Sequence, residues 1–373
     1  MIEVQDIFRE HGDEYLRQHP LNTVQIKAYR AILNCRTHAL GGHIDTCDQC
    51  GHQRISYNSC RNRHCPKCQM LAKEQWIESQ ERCLLNIGYF HVVFTVPNEL
   101  YMVFRQNQET MYTLFFKAVS ETLLELGQNP KYLGAKLGVT AILHTWGQNL
   151  LYHPHIHCVV PGGGLTSAGH WKNSRKKFFI PVKVLSKKFR GKFLALMRAA
   201  QLRFDESTNK LNSSREYALF LQDLYNKDWV TYCKPPFGNT GKVIQYLSRY
   251  THRVAISNNR ILALQDDKVT FSWRDYADHN KVKQMTITAE EFIRRFMLHV
   301  LPRGFRKIRH YGLLASGGKT KRIQLCRQLT NTPFSIFSKP RSLFEILIDK
   351  FNDTFRKCPC CRIGMMIRAS PLP

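Results

Sequence analysis

Two histidines flanking one apolar residue, His155-Ile156-His157, are the side chains of this sequence best placed to do chemistry. They lie in a run over 154–160 that reads as a strand. Alternate residues of a strand share a face, so both imidazoles point one way, while Ile156, Cys158 and Val160 point into a core. Two imidazoles about 6–7 Å apart along a rigid strand can reach one metal ion. A second pair, Tyr246 and Tyr250, is spaced to share one face of a helix expected over 242–250. A phenol with a pKa of about 10 is a weak nucleophile near neutral pH. A divalent cation that polarises a phosphodiester makes its attack feasible. The product would be a 5′-phosphotyrosine and a free 3′-hydroxyl, with the bond energy kept for rejoining.

Cysteine supplies the other chemistry. Of 13 cysteines, Cys47-x2-Cys50 and Cys65-x2-Cys68 have the spacing of two knuckles around a structural zinc. Cys60-x3-His64 and Cys35-x2-His38 offer a second site, with His43 equally able to be its fourth ligand. Cys358 and Cys361 repeat the Cys-x-x-Cys spacing near the end of the sequence, with Cys326 as a candidate further ligand. Metal fits these spacings better than disulfides do, and a reducing compartment goes with it.

Lys and Arg total 55 against 28 Asp and Glu, a net charge of +27 spread along 373 residues. A fold with that excess repels itself unless a polyanion is its partner, and nucleic acid leads among polyanions. The sequence has no run of 18 apolar residues, so no spanning helix is expected, and no secretory pattern opens it; the expectation is a cytoplasmic protein. With 43% hydrophobic residues the chain can bury a sizeable core. The stretch 312–320 lacks the glycine spacing of a phosphate loop, which excludes ATP binding there.

The elements that must position these groups are an α+β set. Two helices fill 1–34, and a helix runs from 70 to about 86. Residues 89–96 form a strand, and a long helix opened by Asn98 runs to about Leu126. Residues 139–148 and 154–160 make an antiparallel hairpin. Residues 254–256, 261–264 and 269–273 form a meander, and a basic helical region follows from about 290. Three domains are expected: 1–86 (helical, zinc- and DNA-binding), 87–290 (catalytic) and 291–373 (basic, with a Cys-rich tail). The densest basic stretch includes Lys172, Arg175, Lys176, Lys177, Lys187, Lys188, Arg190 and Lys192. Phe178, Phe179 and Phe189 are interleaved there as candidate base-stacking rings. Arg294, Arg295, Arg303, Arg306, Lys307, Arg309 and His310 make a second patch. Arg61, Arg63, Lys176, Lys177, Arg249, Arg253, Arg306 and Lys307 are the residues expected to contact DNA.

Four stretches carry a family resemblance: Asn58-Ser-Cys-Arg-Asn-Arg-His-Cys-Pro-Lys-Cys68, Phe90-His-Val-Val-Phe-Thr-Val-Pro97, His153-Pro-His-Ile-His-Cys-Val-Val-Pro-Gly-Gly-Gly164 and Tyr246-Leu-Ser-Arg-Tyr-Thr-His-Arg-Val-Ala-Ile-Ser257. Across most of its length the chain resembles the two-tyrosine, His-hydrophobe-His (HUH) transposases of rolling-circle insertion sequences. The resemblance implies an antiparallel sheet with flanking helices, a ferredoxin-like palm, behind a small zinc-binding domain. It implies His155 and His157 as ligands of Mg²⁺ or Mn²⁺ and Tyr246 and Tyr250 as nucleophiles. A third ligand would fall on Gln148, with His144 as the alternate. The partners implied are single-stranded DNA ends and a host helicase or replication machinery. A replication initiator or relaxase would share the chemistry. A metal-dependent hydrolase would cleave with water and stay unattached, and a non-enzymatic zinc protein would use all four residues structurally.

Overall fold

A computed structural model describes residues 1–175, 180–237, 243, 255–276, 278–333, 341–352 and 354–371. Tyr246, Tyr250, Arg249, Arg253, Lys176 and Lys177 lie outside the described residues, as do Phe178 and Phe179.

The first two expected helices are α1 (Val4–Gln18) and α2 (Thr23–Leu33). Asn22 caps α2, its side chain accepting from the Val24 and Gln25 amides at 3.0 Å each, which satisfies two of the donors a helix start leaves open. Strands β1 (Gly42–Cys47) and β2 (Gln53–Tyr57) form a hairpin over the Cys-rich stretch, and α3 (Gln69–Glu81) follows.

The central sheet is antiparallel, in the order β12-β4-β5-β3-β8. Its strands are β3 (Tyr89–Thr95), β4 (Gly138–Trp146), β5 (Tyr152–Pro161), β8 (Thr231–Phe237) and β12 (Ile308–Gly312). A small hairpin of β6 (Gly163–Leu165) and β7 (Trp171–Asn173) follows β5. Strict alternation separates the two faces of the sheet. Phe90, Val92, Phe94, Val139, Ala141, Leu143, Ile156, Cys158 and Val160 face the main core. That core is closed by α4 (Tyr101–Gln106), α5 (Gln108–Gln128), α6 (Val182–Arg198) and α7 (Ser214–Asn226).

The single long helix expected from Asn98 is broken. Asn98–Leu100 is a 3-10 turn, and Asn107 leaves helical geometry at φ −127°, ψ 44°. Its side chain joins the backbone of Arg203 twice, at 2.8 Å each way, which holds the break. Phe189 is fully buried, stacked on Phe115 at 5.6 Å. It packs the core and is closed to DNA bases.

A second core joins the N-terminal helices to the C-terminal half. Val4, Ile7, Phe8, Tyr29 and Ile32 pack with Phe271, Phe292 and Phe296. These come from the meander β9 (Ile261–Gln265), β10 (Lys268–Asp275) and β11 (Lys281–Thr288) and from α8 (Ala289–Met297). Ala255 and Ile256 lie outside any strand, and the third meander strand is β11 instead. The stretch after 290 is not helical throughout. β12 joins the central sheet before α9 (Lys319–Leu329) and α10 (Leu343–Phe351), and β13 (Met366–Pro371) pairs with β1. Strand pairing and packing therefore run across both expected boundaries, at 86 and at 290. Gly312 has φ +62°, and a Cβ there would sit 1.9 Å from the Leu137 carbonyl oxygen. That close approach explains the glycine without any phosphate.

Candidate functional site

The face of the central sheet opposite the main core carries the histidines. The β4–β5 register sets His144 directly across from His155, and Ile142 across from His157. One nitrogen from each of His144, His155 and His157 lies within 4.8 Å of the other two. Ring centroids stand 5.4 Å apart for His144–His155, 4.7 Å for His144–His157 and 4.8 Å for His155–His157. The Trp146 ring stacks on His144 at 4.6 Å and 18°.

Hydrogen bonds fix how the imidazoles present themselves. His155 Nδ1 donates to the His153 carbonyl at 2.7 Å, which leaves the lone pair on Nε2. His157 Nδ1 meets His91 Nε2 at 2.9 Å, so a metal would be met by its Nε2. Behind His155, Tyr101 donates its hydroxyl proton to His153 Nδ1 at 2.5 Å. Burial pushes the His155 and His91 imidazoles down to about 3, and His157 well below its ordinary value. These rings are neutral at physiological pH, the form that binds metal. Three converging imidazole nitrogens, with no carboxylate in the cluster among the described residues, fit a divalent transition ion. Mg²⁺ prefers oxygen donors and gives up its water reluctantly, so the set suits Mn²⁺ better.

The resemblance offers Gln148 as the third ligand. Beyond the end of β4, Gln148 donates to the Tyr276 hydroxyl at 3.1 Å. The alternate, His144, stands beside His155 and His157 because it is the cross-strand partner of His155. Sequence reading missed His91, which reaches the cluster only through the pairing of β3 with β5.

The eight cysteines of the zinc-like spacings sort differently from expectation. Cys35, Cys60, Cys65 and Cys68 form one cluster; Cys47, Cys50, Cys358 and Cys361 form another. In the first, the Cys35–Cys68 and Cys60–Cys68 sulfurs are each 3.6 Å apart, and the Cys60 and Asn62 amides point at sulfur from 3.5 Å. In the second, Cys47–Cys361 is 3.7 Å and Cys50–Cys358 is 3.6 Å. Four sulfurs bound at about 2.3 Å around one tetrahedral centre stand about 3.8 Å apart, so both clusters fit zinc. The two N-terminal knuckles do not meet, because each finds its partner thiols elsewhere. His64 is occupied at both ring nitrogens, by Asn62 Oδ1 at 3.2 Å and the Leu301 amide at 3.1 Å. His43 faces Asp45 at 3.3 Å. Cys326 is buried with Leu85 and Leu313.

The basic residues divide as well. Arg63 donates to the carbonyls of Leu301, Pro302 and Phe305, a tie between the cysteine module and the 301–305 loop. Lys307 lines a small pocket with Arg63, His64, Trp146 and His299, and burial lowers it to about 8. Arg294 and Arg295 pair with Glu291, and Lys188 and Lys192 pair with Glu125. Arg303, Arg306, Arg309, His310 and Lys319, by contrast, line one open groove at the β12 edge. Arg36, His43, Tyr57, Asn58 and Arg61 line a second, beside the first cysteine cluster.

Around the histidine face, Val243 packs against Tyr89, Ile142 and Val159. No helix among the described residues is long and apolar enough to cross a membrane.

Comparison with known proteins identifies relatives. A family model described as a putative transposase matches residues 138–322. A transposase zinc-binding domain of the IS91 type matches residues 7–96. The chain is 46% identical over 375 residues to a putative transposase, y4qJ, of Sinorhizobium fredii (strain NBRC 101917 / NGR234), covering 98% of this chain and 94% of that protein. It is 28% identical over 312 residues to the transposase for insertion sequence element IS801 of Pseudomonas savastanoi pv. phaseolicola, covering 81% and 73% respectively. No solved structure matches it.

Proposed function

This chain belongs to the IS91/IS801-type transposases, a rolling-circle family with a zinc-binding domain, and from that premise we propose that it cleaves and transfers single-stranded DNA through a 5′-phosphotyrosine. The observation that carries the proposal is the convergence of His144, His155 and His157 on one sheet face. A Mn²⁺ or Mg²⁺ ion held there would polarise the scissile phosphate.

Tyr246 and Tyr250 are the proposed nucleophiles. Val243, three residues before Tyr246, packs on the histidine face. In the reaction, the phenol oxygen attacks phosphorus and the P–O3′ bond breaks. The phenol proton is lost and the departing 3′ oxygen gains one. The reverse attack by a 3′-hydroxyl on the phosphotyrosine joins a new strand and restores the phenol.

DNA would lie along the two open basic grooves. Arg306 contributes to the groove at the β12 edge, and Arg61 to the groove beside the first cysteine cluster. Zinc at Cys35, Cys60, Cys65 and Cys68 would hold the second groove in shape. A host helicase or replication machinery would expose the strand, in the cytoplasm at the nucleoid.

The test is incubation of the purified protein with end-labelled single-stranded oligonucleotide and Mn²⁺, followed by a denaturing gel. A labelled band at protein mass that vanishes on protease treatment is the expected result. Cleavage with no attached protein would point to a water-using hydrolase and overturn the phosphotyrosine route.

A further inference from the structure

We infer that Cys47, Cys50, Cys358 and Cys361 bind a second structural zinc, a clasp that ties the C-terminal segment to the N-terminal module. The zinc-binding family match ends at residue 96 and so holds only half of this set. Cys50 and Cys358 are separated by 308 positions in the chain, and sequence spacing alone cannot associate them.

The four sulfurs converge with the spacing of tetrahedral thiolate ligation. They lie within 4.8 Å of one another, with 3.6 and 3.7 Å for two of the edges. A disulfide would need about 2.05 Å. The two halves are built alike. In each, the amide two residues after the first cysteine points at that sulfur: Gln49 to Cys47 and Cys360 to Cys358, both at 3.4 Å. In each, the residue after the second cysteine is left-handed, Gly51 at φ 68° and Arg362 at φ 59°. Arg362 holds a conformation that costs a side-chain-bearing residue energy, which points to a fixed turn. These are two zinc knuckles facing each other, as in a zinc ribbon assembled from distant parts of one chain.

The surroundings are shaped around the same contact. β13 adds antiparallel to β1, with Cys47 opposite Met366, so β1 becomes the central strand of β13-β1-β2. The Asp48 amide donates to the Met365 carbonyl at 3.1 Å, and Asp48 Oδ1 accepts from the Met365 amide at 2.8 Å. A Cβ on Gly364 would fall 2.5 Å from Cys47 Sγ, so only glycine lets the two knuckles close. The clasp covers an edge of β1 that would otherwise offer unpaired backbone groups.

Cys360 provides an internal control, because it is exposed between the two proposed ligands. The experiment is brief alkylation of the purified, full-length, zinc-containing protein, mapped by mass spectrometry before and after chelation. Cys360 should label at once. Cys47, Cys50, Cys358 and Cys361 should label only after zinc is stripped. Elemental analysis should give two zinc per chain, falling to one in Cys358→Ser/Cys361→Ser while Cys35, Cys60, Cys65 and Cys68 stay protected. Labelling of Cys358 and Cys361 as fast as Cys360 in untreated wild-type protein would overturn the clasp. So would a zinc content that the double variant leaves unchanged.

Discussion

His91 and His157 touch ring to ring across neighbouring strands. Nε2 of His91 lies 2.9 Å from Nδ1 of His157, and the rings stack at 5.2 Å with 13° between their planes. His91 therefore fixes the orientation of a proposed ligand without joining the cluster. Partners of this kind typically set metal affinity by 10- to 100-fold. His91→Phe keeps a buried ring and removes the hydrogen bond. Expected is a Mn²⁺ requirement raised by about 10- to 100-fold, with much of the cleavage rate recovered at saturating Mn²⁺. His91→Gln, which can still hydrogen-bond, should fall between the two. An unchanged Mn²⁺ titration would remove His91 from the site.

The three cluster histidines should behave as a unit, and Gln148 should not belong to it. His144→Ala, His155→Ala and His157→Ala are each expected to abolish oligonucleotide cleavage while the protein still binds DNA. Gln148→Ala, which loses the contact to Tyr276, should cleave at close to the wild-type rate. Mn²⁺ should support faster cleavage than Mg²⁺, because three nitrogen donors suit it better. The comparison is read from product formed per minute under matched binding.

How far the sequence carries this site depends on the distance over which each residue finds its partner. His155 and His157 were legible because a strand's period of two is local, and Ile156, Cys158 and Val160 do point into the core. His144 was within reach as an alternate because a short turn joins β4 to β5. His91 was not legible, since nothing local specifies that β3 lies beside β5. The same reason explains the cysteines. A Cys-x2-Cys spacing declares half a site and is silent about its other half, so the nearest pair in sequence was chosen, and the fold chose otherwise. Phe189 is a different case: aromaticity does not report burial, and its ring is enclosed in the core. β12 is not legible as a strand, because its five residues are too few to establish a period against the basic run around them.

Salt dependence separates exposed cations from structural ones. With roughly 6–10 phosphate contacts, affinity for single-stranded DNA should fall by about 10³–10⁵ between roughly 50 and 200 mM salt. Arg306→Ala and Arg61→Ala, both at open grooves, should each lower the slope of log K against log salt by about 1. Arg63→Ala should leave that slope alone and lower the melting temperature, because it strips three carbonyls of their donor. A slope change at Arg63 with no change in melting would reverse the assignment.

The two tyrosines make the sharpest prediction. Tyr→Phe removes the nucleophilic oxygen and keeps the ring. The anchor at Val243 is untouched by either change. Two DNA ends must be handled in a full transposition event, so Tyr246→Phe and Tyr250→Phe are each expected to be defective in a transposition assay in cells. A single oligonucleotide needs only one attack, and at least one of the single variants should still form the covalent adduct. The double variant should form none and should bind the oligonucleotide as well as wild type does. Peptide mapping of the wild-type adduct should place the nucleotide on Tyr246 or Tyr250. A nucleotide found instead on Tyr276 or Ser248 would overturn the mechanism while leaving the transposase family intact. Tyr276 is the telling alternative, because its hydroxyl accepts from Gln148 beyond the end of the strand that carries His144.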